Sequence, residues 1–183
     1  MKKEQGFTLL EMLVSLVVFV LIGGAAFNLL VAAIAGQRAA LTNQTVVDQI
    51  SSAAEYMSRA IRQAKKDIAD LCLTSGTHVN YEVSGGGKAL RFLDKEGFCR
   101  EFSFASGAIR EQKSADGTAA GLAASPIVLL TSDDIVIQGL QFFIQGQAQP
   151  PADTLQPRVT FFIDAQGLEL QTTVSQRKFD VQE

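Results

Sequence analysis

The chain has no tryptophan, one histidine (His78), two cysteines (Cys72 and Cys99) and four prolines, none of them before Pro126. So few imidazoles and thiols exclude a His-rich or Cys-rich metal cluster. A single histidine also removes most general-base and triad schemes, so no enzyme, catalytic residue, metal or cofactor is expected. Positive charge is not in excess either. Sixteen basic side chains against 19 acidic ones leave a net charge of -3, which argues against a protein built to grip nucleic acid. The longest absence is of charge itself: the 26 residues from Met12 to Gln37 carry none.

What is present is largely apolar. At 47% apolar the chain is too hydrophobic for disorder, and 183 residues suit one domain of ordinary size. The apolar residues are concentrated at the front, where Phe7 to Gly36 holds 23 of them in 30 positions. A helix needs about 20 apolar residues to span a bilayer, so this stretch can cross one. Before it lies a short polar leader, Met1 to Gly6, whose Lys2 and Lys3 place the N-terminal end on the cytoplasmic side.

Three readings of this front end compete. A cleaved secretory signal would use Ala33-Ile34-Ala35 before Gly36, but the apolar run is nearly twice an ordinary signal core of about 7–15 residues. A plain membrane anchor explains the hydrophobicity but not Glu11, an ionisable group at the edge of an apolar helix. The third reading covers every feature. Gly6-Phe7-Thr8-Leu9-Leu10-Glu11, followed by the apolar run, resembles the type IV prepilin signature.

That resemblance implies cleavage by a prepilin peptidase between Gly6 and Phe7, and N-methylation of Phe7. It also implies a role for Glu11 in assembly, pairing with the N-terminal amine of a neighbouring subunit. The implied partners are other pilin subunits, the prepilin peptidase, the inner-membrane assembly machinery, and the membrane itself before assembly. A carboxylate in an apolar helix is costly alone and tolerable when paired, which agrees with that role. Many major pilins carry a proline partway along this helix; here none occurs, and only Gly23-Gly24 and Asn28 are weak helix formers.

Beyond the bilayer segment, Val46, Val47, Ile50, Ala53, Ala54, Met57, Ala60, Ile61, Ala64, Ile68 and Leu71 recur at three- and four-residue steps. The spacing predicts one helix from Phe7 to about Leu71, roughly 95 Å long at about 1.5 Å per residue. Arg59, Arg62, Lys65 and Lys66 lie around its other side and read as solvated charges. The period then changes to short β-like runs at 78–83, 89–93, 98–104, 108–112, 127–130, 135–144, 158–164 and 168–175. Polar, Gly-rich or Pro-rich loops at 113–125 and 146–157 interrupt them. The expected fold is α+β: one long N-terminal helix on an antiparallel sheet, which is also the type IV pilin architecture. The expected organisation is a leader at 1–6, a transmembrane half-helix at 7–36 and an extracytoplasmic domain at 37–183.

The remaining motifs read more simply. In an extracytoplasmic domain, Cys72 and Cys99 are expected to form a disulfide pinning the helix end to the sheet, the alternative being two buried thiols. Ser84-Gly85-Gly86-Gly87-Lys88 lacks phosphate-loop spacing and leads into a strand, so it reads as a hairpin turn. Asp133-Asp134, at a strand start, reads as solvent-facing rather than calcium-binding. Phe142-Phe143 and Phe161-Phe162 offer a sticky ligand surface, but alternation puts one of each pair in the core. Asn43-Gln44-Thr45 fits a glycosylation sequon and is expected to be covered by packing.

The stretch 56–64 and the two terminal strands resemble minor pilins and type II secretion pseudopilins more than major pilins. The expected protein is therefore a structural filament subunit, a minor pilin with implied roles in adhesion, motility or DNA uptake. It would be held in the cytoplasmic membrane, N-terminus inside, and later carried in a cell-surface or periplasmic filament. The alternatives are a secretion pseudopilin and a membrane-tethered binding module that never polymerises.

Overall fold

A computed structural model describes residues 8–132, 134–147 and 155–177. In chain order the elements are α1 (Leu9–Arg62), β1 (Tyr81–Ser84), β2 (Ala89–Leu93), β3 (Cys99–Ala105) and β4 (Ala108–Lys113). Then come α2 (Ala119–Ala123), β5 (Val128–Leu129), β6 (Ile137–Gln145), β7 (Arg158–Ala165) and β8 (Leu168–Ser175). The α+β expectation holds: one long N-terminal helix is followed by antiparallel strands, and its later turns pack on them. The chain divides into two compact units, Met1–Thr45 and Val46–Glu183, and the division falls inside α1.

Within the second unit, the α1 stripe Val46, Ile50, Ala53, Ala54, Met57 and Ile61 is buried along one helix face. It meets Tyr81, Leu90, Phe92 and Phe102 from one group of strands and Leu140, Phe142, Val159 and Phe161 from another. Fully burying a large apolar side chain stabilises by about 1.5–3 kcal/mol, so this shared core is what holds the helix to the strands.

The strands form two sheets rather than one meander: β1-β2-β3-β4-β5, and β6-β7-β8. The break has a visible cause. β5 pairs with β4 through only two residues. The chain then turns, and Ile137 N–H donates to the Gly107 carbonyl in the β3–β4 turn instead of extending a ladder. The β7–β8 turn has Gln166 and Gly167 both at positive φ (50° and 82°), as a type I′ hairpin requires. Gly85, Gly86 and Gly87 make the expected β1–β2 turn, all at positive φ.

Three local expectations are corrected. The helix ends at Arg62, not near Leu71. Ile68 and Leu71, assigned to its apolar stripe, are exposed. The 113–125 loop contains α2, whose N-terminus is capped by Thr118 Oγ1 accepting from Gly121 N–H at 2.9 Å.

Candidate functional site

The first unit carries the Thr8–Glu11 stretch singled out in the sequence. Thr8 precedes α1, and its hydroxyl accepts from the Glu11 N–H at 3.3 Å. Its carbonyl accepts from Glu11 N–H at 3.1 Å and Met12 N–H at 3.2 Å. Thr8-x-x-Glu11 has the capping-box spacing, a helix-start signal readable in the sequence that the prepilin resemblance alone does not use. The carboxylate of Glu11 sits in the first turn, where the helix dipole favours negative charge. It is exposed, and among the described residues it has no hydrogen-bond or ion-pair partner.

Every described side chain from Thr8 to Thr45 is exposed, including Leu9, Phe19, Leu21 and Phe27. The helix is long and apolar enough to cross a membrane. A helix apolar all round is at home only in lipid or among other helices. It runs unbroken through Gly23 and Gly24, and open space lies where a Cβ would point at either residue. Thus nothing among the described residues requires glycine there. Gly6 and Phe7 lie outside the described residues.

In the second unit the structure joins Cys72 to Cys99. The bridge is fully buried in a small cluster with Leu73 and Leu122, apart from the main core. Because α1 stops at Arg62, the bond ties the segment after the helix, not the helix end, to β3. That segment is shaped by Asp67, whose Oδ2 accepts from the N–H groups of Cys72 and Leu73, both at 2.8 Å.

A charged network crosses β3 and β4. Arg100 contacts Asp94 at 3.1 Å and Glu111 at 3.4 Å, while Lys113 contacts Asp94 at 3.2 Å and Glu96 at 2.7 Å. Burial alone would raise the Asp94 carboxyl. The N–H groups of Phe98 and Glu96, with the Lys113 ammonium, outweigh it and hold Asp94 below the ordinary carboxylate value. Burial likewise opposes the charged form of Lys113, but Glu96 and Asp94 raise it above its usual value. From α1, the Tyr56 hydroxyl donates to Glu111 at 2.9 and 3.1 Å; burial and then that carboxylate push the phenol up. The network carries α1 on the five-stranded sheet.

Phe142 and Phe161 are core, and Phe143 and Phe162 face out, as alternation requires. Asp134 is engaged locally with Ser132, and Asp133 lies outside the described residues. Asn43 and Thr45 of the sequon are exposed rather than covered. Arg59 is exposed and pairs with Glu55 at 3.2 Å.

Comparison with known proteins places one feature. Residues 1–27 match the family model described as the prokaryotic N-terminal methylation motif. No curated protein and no solved structure matches the chain. The match takes in the first turns of α1, including the Thr8–Glu11 start and the beginning of the exposed apolar run described above, and it supports a type IV pilin-like or pseudopilin-like precursor.

Proposed function

We propose that the protein is a non-enzymatic structural subunit, a minor pilin of a type IV pilus-like filament. Prepilin peptidase removes residues 1–6 and methylates Phe7. The precursor waits in the cytoplasmic membrane with its N-terminus inside, and the second unit lies on the far side. On assembly, α1 exchanges lipid for neighbouring helices, and Glu11 meets the N-terminal amine of the next subunit. Adhesion, motility or DNA uptake would follow from what the filament carries.

One observation supports this reading above the rest: an apolar helix segment, exposed at every described side chain from Thr8 to Thr45, that carries in its first turn one carboxylate with no partner among the described residues, inside the methylation motif. Apolar packing supplies the association energy, and the carboxylate sets the register, because an offset neighbour leaves it unpaired. The test is Glu11→Val, co-expressed with the assembly machinery of the source cell. The variant should remain membrane-bound with its disulfide formed and be lost from the sheared filament fraction. Undiminished incorporation would contradict the proposal.

A further inference from the structure

The outward face of β6-β7-β8 has a composition that neither the core nor filament packing through α1 explains. Strand register places Gln141, Phe162 and Gln171 in one cross-strand row and Gly139, Asp164 and Glu169 in the next. Phe162 is 40% exposed at the centre of the first row, on a face where its own strand otherwise presents Thr160 and Asp164. Phe143 braces it edge-on, with ring centroids 5.6 Å apart and planes at 89°. An exposed aromatic ring held in place on a polar face is the informative exception to ordinary burial.

Beside this ring the surface is hollow. Gly139 has no side chain to fill its place in the second row, and a register irregularity between Ile137 and Gly139 turns the strand there. The hollow measures about 580 Å³, within the range of small-ligand sites, and Lys88 from the β1–β2 turn and Phe104 from β3 also line it. Asp164 and Glu169 stand directly opposite one another, an arrangement of like charges that is unfavourable by itself. Among the described residues neither has an ion-pair partner.

We propose that this hollow is a binding site for an uncharged saccharide. A pyranose has an apolar C–H face and a rim of hydroxyls that both donate and accept. The Phe162 ring fits the first. The amides of Gln141 and Gln171, which also donate and accept, fit the second. Hydroxyl donors would occupy the facing carboxylates of Asp164 and Glu169 without adding charge. A phosphate-bearing ligand is disfavoured by those same two carboxylates, which outnumber Lys88. The site lies wholly in the second unit and is independent of whether the protein polymerises.

The test is saturation-transfer NMR on the full-length protein in a sugar-free zwitterionic detergent. The probes are maltose, cellobiose, lactose and diacetylchitobiose, with spermidine as a cationic comparison. At least one disaccharide should receive saturation at millimolar concentration, chiefly on the C–H groups of one ring face. Phe162→Thr should weaken that binding by about tenfold. Gly139→Val, which fills the hollow and brings its Cβ no closer than 3.8 Å to Asp164, should abolish binding while the melting temperature is kept. No transfer to any of the four sugars, transfer unchanged in both variants, or transfer to spermidine alone would overturn the proposal.

Discussion

Cys72 and Cys99 are bonded with their Cα atoms 5.4 Å apart, and Cys72 lies ten residues past Arg62, the last residue of α1. The disulfide thus holds down a segment with no regular secondary structure of its own. Around it only a small cluster is buried, so the covalent bond carries much of the local order.

Reducing this bond, or replacing both cysteines by serine, should therefore be costly. A bridge between residues 27 apart constrains the unfolded chain by about 3–4 kcal/mol on loop-entropy grounds. For a domain of this size the melting temperature should fall by about 10 °C. Thermal unfolding with and without reductant measures it.

The charge network predicts an acid limb. The folded value of Asp94 lies below its unfolded one, so its contribution is complete above the unfolded value of about 3.9 and is lost as pH falls through the folded value. Asp94→Asn should cost about 1.5–3 kcal/mol near neutral pH, because Arg100 and Lys113 lose a shared carboxylate and keep only Glu111 and Glu96. It should also flatten the decline in stability below about pH 4. Urea midpoints of the two proteins at neutral and acid pH give both quantities.

The end of α1 gives a paired prediction. Met57 and Ile68 sit on the same apolar stripe in the sequence, but Met57 is fully buried and Ile68 is 72% exposed. Met57→Ala should cost about 2–5 kcal/mol. Ile68→Ala should change stability by less than about 0.5 kcal/mol. Equal costs in urea unfolding would mean that the helix continues.

That helix end shows where sequence reading succeeds and where it stops. The apolar stripe, the strand alternation that buries Phe142 and Phe161, and the Gln166-Gly167 turn are local patterns, and each is legible. No glycine or proline marks the stop after Arg62. Its last carbonyls are instead taken by distant groups, Ile61 by the Tyr81 hydroxyl at 2.9 Å and Arg62 by Arg177 N–H at 2.9 Å, and just beyond it Ala64 accepts from Gln176 Nε2 at 2.9 Å. Lys65 N–H meanwhile pairs with Leu93. Such caps come from residues 20 or more positions away, beyond any local signal. The same is true of the second sheet, whose separation depends on where Ile137 finds its acceptor. The start of α1 is the opposite case, since Thr8, Glu11 and the uncharged run that follows are contiguous in the sequence.

The central claim is that the apolar helix is retained, its leader is removed and its new terminus is modified. Intact mass and N-terminal sequencing of the mature protein from its native membrane test this most directly. The predicted result is a chain beginning at Phe7 and carrying one added methyl group. A chain beginning at Gly36, or one still beginning at Met1, would contradict it.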